Sequence, residues 1–364
     1  MSKKYILSWG ILLLAISAKA QTDTSASDDF DFSAFELAAP AEKAFCNNKV
    51  LGQSPTSLVG IFYNLQSGHQ LTSQNFDDGQ GKVLNGSSNI QAAHEISLEG
   101  NFPLLSRNNI LINLNAIYQE QRYSVDNSTT NNPFNTIIEN DVLRRSALIF
   151  TVFKPLNDRT FLLGQIGAEL NGNYSFDNAN FGNPFIPAAL LYGWKPSDRL
   201  MYGFGVSRTY LGGSLNYLPV IYYYHTFANE KWGIEALLPA RAMVRYRFNS
   251  EKLISFGYNF MGASYALANF GPLSQEVAPS FSNLVEAQDV QLRRSGIRAG
   301  FKYQQALSGF VWLSVEAGYR INYSYNVDEG GDFLRLLGDD TPFLMENDFG
   351  NPVYFTIGLS YVSP

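Results

Sequence analysis

The chain has little charge, little histidine and almost no cysteine. Asp, Glu, Lys and Arg make up 16% of its 364 residues, against roughly 25% in an ordinary soluble protein. Cys46 is the sole cysteine, which excludes an internal disulfide and any cysteine-built metal centre; it reads as an unpaired thiol in a flexible segment. The three histidines, His69, His94 and His225, leave hydrolytic chemistry few bases. His69 falls in a long polar loop, His94 has outward parity near an interface, and His225 lies beside a turn. None has a Ser or Asp at a productive spacing. The carboxylate pairs Asp77-Asp78, Asp328-Glu329 and Asp339-Asp340 lack a full coordination pattern and read as solvated loop charge, at most loosely holding cations that bridge lipopolysaccharide. No catalytic residue, cofactor or metal site is assigned, and with 26 basic against 32 acidic residues nothing points to nucleic acid. Beyond the first twenty residues no apolar run approaches the about 18 residues of a helical span, so a membrane crossing has to use strands.

What the chain does have is alternation. From Val311 to Tyr325 the odd positions are Val, Leu, Val, Ala, Tyr, Ile, Tyr and Tyr, and most even ones are polar or glycine. A period of two held this long exceeds the usual soluble strand of about five or six residues and suits one tilted across a bilayer, one face to lipid and one to water. The N-terminus fits the same destination. Lys3 and Lys4, an apolar core from Tyr5 to Ser17, and Ala18-Lys19-Ala20 before Gln21 form a secretory signal peptide, residues 1–20, cleaved after Ala20. Its removal takes three of the 26 basic residues, leaving 23 against 32 acids, a net charge of -9.

Residues 21–56 are acidic and rich in small residues, and read as a flexible periplasmic lead-in or a small plug. Residues 57–364 read as an all-β, transmembrane, up-and-down antiparallel barrel of about fourteen strands, twelve being possible. The strands are placed near 57–66, 90–102, 109–122, 144–154, 159–173, 184–194, 199–210, 216–227, 231–238, 240–248, 252–265, 290–304, 310–325 and 352–362. Six tight connections, centred on Arg107, Asn157, Ser197, Asn229, Ser250 and Ser308, all follow even-numbered strands and mark the periplasmic side. The stretches 67–89, 123–143, 174–183, 266–289 and 326–351 become extracellular loops. Trp194, Trp232 and Trp312 fall at periplasmic strand ends, the first two outward as girdle residues and Trp312 inward, filling the floor.

The inward faces then carry charge. Arg241, Arg245, Arg247, Arg294, Arg298, Lys302 and Arg320 form a basic wall, with Glu95, Glu99 and Glu169 across the barrel. A turn near Ser308 would set Glu316 opposite Gly300, diagonal to Arg298 and Lys302; a close turn at Pro239 would set Glu235 diagonal to Arg241 and Arg245. Two readings stand: a self-paired network filling the lumen, or a basic lumen that favours anions.

The segment Asn216-Tyr217-Leu218-Pro219-Val220, followed by Lys231-Trp232-Gly233-Ile234-Glu235-Ala236-Leu237-Leu238-Pro239-Ala240-Arg241, resembles a family of bacterial outer-membrane barrels catalogued only as a domain of unknown function. The resemblance runs from about residue 50 to the C-terminus. It implies a single barrel in the Gram-negative outer membrane and supplies no functional residues. One departure is Val362-Ser363-Pro364 after Tyr361, where the common barrel pattern ends on an aromatic that the assembly machinery recognises. The expected partners are outer-membrane lipid, lipopolysaccharide, that machinery and small solutes. The leading expectation for function is a passive channel or transporter for small solutes. The alternative is a structural or surface-interaction barrel acting through its loops. A carrier of hydrophobic molecules, with a wall kinked at Pro187 or Pro219, is a third.

Overall fold

A computed structural model describes residues 45–362 apart from 78–82, 127–137, 139–141, 175–183, 212, 214, 268–289, 330–342 and 344. The signal peptide and residues 21–44 lie outside the described residues. Sixteen strands are found among the described residues, in chain order: β1 Ser57–Gln66, β2 His69–Asp77, β3 Val83–Arg107, β4 Ile110–Asp126, β5 Leu143–Pro155, β6 Thr160–Gly172, β7 Ala188–Ser197 and β8 Leu200–Thr209. Then come β9 Asn216–Thr226, β10 Trp232–Leu238, β11 Arg241–Asn249, β12 Lys252–Ala266, β13 Val290–Ser308, β14 Val311–Glu329, β15 Glu346–Phe349 and β16 Val353–Val362.

Fourteen of these make the wall. Each strand from β3 to β14 pairs antiparallel with the next, β16 pairs with β14, and β1 pairs with both β16 and β3. The ring is thus closed and leaves no backbone amide row facing hydrocarbon. Alternation sets the two faces. On β16, Val353, Phe355, Ile357, Leu359 and Tyr361 are 43% to 58% exposed, whereas Tyr354, Ser360 and Val362 are buried inside. Val59, Ile61, Tyr63 and Leu65 continue the outer band on β1, as do Phe256 on β12 and Phe301 on β13. Trp232 is exposed at the lower rim, Trp194 stacks on Tyr202, and Trp312 is buried with Leu253 and Val362 in the floor.

The other two strands lengthen the wall. β2 continues upward from β1 along the same edge of β3, and β15 descends into β16 while pairing with β2. The stretches 67–89 and 326–351, expected as loops, therefore hold strand. The breaks lie side by side, with the Ser67 amide donating to the Val353 carbonyl at 2.9 Å and the Gly350 amide to the Gln70 carbonyl at 2.8 Å. Pro219, a candidate kink, instead lies within a continuous ladder opposite Val206.

Strand length divides the barrel into a tall side and a low side. β3 has 25 residues and β13 and β14 have 19 each, whereas β10 has 7 and β11 has 9, near or below the about 9–11 a bilayer crossing needs. At their extracellular ends β6 and β12 meet, Gly172 beside Ala266. Inside the tall strands Leu71, Ile90, Tyr123, Leu143, Tyr265, Leu292, Tyr325, Val327 and Phe349 pack as one apolar cluster.

Candidate functional site

Three features partition the interior below that cluster. The first is a strap. Of the segment 21–56, residues 45–56 are described, and they run inside the periplasmic rim. The Cys46 amide donates to the Asn157 carbonyl at 3.0 Å and the Leu51 amide to the Asp198 carbonyl at 2.8 Å. Lys195 Nζ donates to Asn47 Oδ1 and, at 2.9 Å, to the Lys49 carbonyl. Thr226 and Arg245 both donate to the Leu51 carbonyl, Arg247 to the carbonyls of Gly52 and Gln53 at 3.1 and 2.8 Å, and Ser54 N–H to Glu235 Oε1 at 2.8 Å. Cys46 and Val50 pack under Phe153, Phe161, Met201 and Tyr224. The thiol, expected in a flexible segment, is buried against the Thr160 carbonyl, and burial pushes its pKa up.

The second feature is the connection between β8 and β9, which folds inward against β12 and β13. Ser264 Oγ donates to the Gly213 carbonyl at 2.5 Å and Ser295 Oγ to the Leu211 carbonyl at 3.4 Å. A side chain at Gly262 would meet the Leu211 carbonyl at 1.8 Å, so only glycine admits this approach. The third is a network of charge. Arg298 reaches Glu95 at 3.2 Å and Arg294 stands 3.9 Å from the same carboxylate while donating to Gln121. Arg320, fully buried, donates to Gln66 at 3.1 Å and to the Tyr325 hydroxyl at 2.9 Å, which itself meets the Tyr123 hydroxyl.

The structure sorts the sequence-derived lumen residues into two groups. Glu95, Glu99, Glu169, Glu316, Arg294, Arg298 and Lys302 line a polar cavity of about 440 Å³, with Arg320 behind it. Glu235, Arg245 and Arg247 hold the strap: Arg245 Nε donates to Glu235 Oε1 at 2.8 Å, and Glu235 lies opposite Met243, diagonal to Arg241 and Arg245. Arg241 belongs to neither, donating instead to the Tyr224 hydroxyl at 2.8 Å. Glu316 is a correction. It lies opposite Lys302, not Gly300, because the turn is Gly309-Phe310 and the ladder shifts between Ala306 and Ser308; its partner is the Tyr354 hydroxyl at 2.7 Å. Arg145, which pairs with Glu169 at 2.7 Å, and Lys195 were not among the expected residues. Arg145 shares its inward parity with Ala147 and Ile149, but the adjacent Arg144 obscures the alternation.

Between strap and loop lies a second cavity, of about 790 Å³. Its walls include Leu111, Ile149, Phe153, Leu163, Leu191 and Val220, and its charged lining residues are Lys49, Arg208 and Arg241. Pro187, Thr209 and Leu211 line both cavities. The histidines sit apart from either. His94 meets the Tyr63 hydroxyl, His225 the Tyr223 hydroxyl, and His69, on β2 and not in a loop, the Ser67 carbonyl.

A closed antiparallel wall of fourteen strands, apolar outside and charged within, defines an outer-membrane β-barrel. The chain belongs to the family described as "domain of unknown function (DUF6268)", whose profile matches residues 64–362. No curated protein matches the sequence. Among solved structures it is similar to the NanC porin, at 10% identity and a TM-score of 0.32 over 83% of this chain and 100% of that one. It is similar to the Pseudomonas putida toluene transporter TodX at 8% identity and 0.34, over 86% and 92%, and to the Escherichia coli outer-membrane protease OmpT at 8% and 0.28, over 86% and 100%. Likenesses this loose assign neither a solute nor a reaction.

Proposed function

We propose that this barrel is an outer-membrane channel for small, uncharged and mainly apolar solutes, with the larger cavity as the solute-holding part of the passage. The observation that carries this reading is the lining. Leu111, Ile149, Phe153, Leu163, Leu191 and Val220 face a space of about 790 Å³, within the range of small-molecule sites, while much of the interior charge is engaged elsewhere. Arg294 and Arg298 are turned to Glu95, Arg145 to Glu169, and Arg245 to Glu235. Of the cations on the cavity's own lining, Arg208 donates to the Ile186 carbonyl and Arg241 to the Tyr224 hydroxyl. Outer-membrane lipid surrounds the apolar band, and the assembly machinery delivers the chain to it.

Uptake of the neutral aromatic dye N-phenyl-1-naphthylamine by Gram-negative cells tests the reading, alongside planar-bilayer conductance of the purified barrel. Faster dye entry on expression, with no stable ion steps, is the expected result. Unchanged dye entry together with anion-selective steps overturns it.

A further inference from the structure

The strap is held largely by side chains of the wall. Lys195, Arg245 and Arg247 direct charged donors at neutral backbone carbonyls of Lys49, Leu51, Gly52 and Gln53. The segment takes no part in the wall ladder, which begins at Ser57. Cys46 and Val50 are its buried apolar side chains. Yet it supplies the lower lining of the large cavity through Asn47, Asn48, Lys49, Gln53 and Thr56.

A segment held by hydrogen bonds to side chains, with two backbone bonds to the turn residues Asn157 and Asp198, can leave without opening a single rung of the wall, as local opening of a low-stability element. The groups it would leave behind retain partners or gain water. Arg245 keeps Glu235 at 2.8 Å, and Arg247 keeps the Ser250 carbonyl at 3.2 Å. We infer that residues 45–56 form a displaceable floor, a gate whose departure joins the large cavity to the periplasm while the fourteen-strand wall stays intact. This deepens the channel reading, on which its meaning for solute flow rests, but the movement itself can be measured without any transported solute.

Cys46 provides the measurement, being the only thiol in the chain and buried when the strap is seated. The full-length mature barrel in nanodiscs is treated with a maleimide dye, and the wall is monitored by heat-modifiable electrophoretic migration. Complete labelling of the native barrel is expected, slower than for the unfolded chain, and faster by about tenfold or more in Arg247→Ala, which loses charged hydrogen bonds to Gly52 and Gln53. Labelling confined to molecules whose wall has unfolded would overturn the gate. A second variant, Asn157→Cys, places a thiol where the backbone of residue 157 already bonds that of Cys46 at 3.0 Å, within reach of a disulfide. With this lock oxidised, dye entry should fall to background and recover on reduction. Equal dye entry in both states would sink the gate while leaving the channel standing. Absent dye entry in both, with native labelling retained, would sink the channel and leave the gate.

Discussion

Arg298 on β13 meets Glu95 on β3 at 3.2 Å, although β14, β16 and β1 stand between them in the wall. The pair is a strut across the lumen, and Arg294 leans on the same carboxylate. A buried guanidinium, that of Arg294, and a partly buried one, that of Arg298, thus depend on one acid. Replacing Glu95 by Gln leaves both without a counter-charge and should cost about 3–5 kcal/mol, the usual effect of breaking a buried pair from one side. The lowered midpoint of urea unfolding in lipid checks this, and Glu95→Gln with Arg298→Gln should recover part of the loss.

A smaller cost is expected higher in the barrel. The Tyr325 hydroxyl accepts from Arg320 at 2.9 Å and meets Tyr123 at 2.9 Å inside the apolar cluster. Tyr325→Phe removes this shared group with little change of shape and should destabilise by about 1.5–3 kcal/mol. Tyr123→Phe, which leaves the Arg320 bond in place, should cost less in the same unfolding measurement.

On the lipid side the expectation depends on the face. Phe256 and Phe301 lie opposite each other on β12 and β13, both more than half exposed. Phe256→Arg puts a charge into hydrocarbon and should cost about 2–4 kcal/mol. Asn259→Ser, three residues on and facing the lumen, should change stability by less than about 1 kcal/mol. A cost below about 1 kcal/mol for Phe256→Arg would mean that this face does not meet hydrocarbon.

The cavity makes its own prediction. Ile149→Trp fills space beside Thr151, Gln165 and Pro187, four residues along β5 from Phe153, where the strap packs. Dye entry should drop toward that of cells lacking the barrel, with the unfolding midpoint close to wild type. Ile149→Ala, which widens the same place, should not reduce it.

Much of this architecture is legible in the chain, and the parts that are not share a cause. The fourteen wall strands show themselves because lipid and water impose opposite demands on successive residues, as along Val311–Tyr325. β2 and β15 escape because they rise above the bilayer, where neither face has to be apolar; Thr72, Ser73 and Gln74 carry no such pattern. Glu95 shows as an inward acid, but its pairing with Arg298 is hidden, since hairpin registers identify neighbours and not residues facing across a lumen. The strap is the extreme case. Most of its anchors bond to backbone groups, which every residue has, so Lys49 to Gln53 give no sign in their side chains of where they sit.

The double pairing of β1 has a consequence for biogenesis. Ser57–Gln66 is the first wall segment to be made and Val353–Val362 the last, and the cylinder is sealed by their contact. Until β16 arrives, β1 and β14 each present a bare edge, and the loop to be closed between them spans nearly the whole wall. A chain cut short before Val353 would therefore have no lesser barrel to settle into, and insertion should be an all-or-none event decided by its final strand.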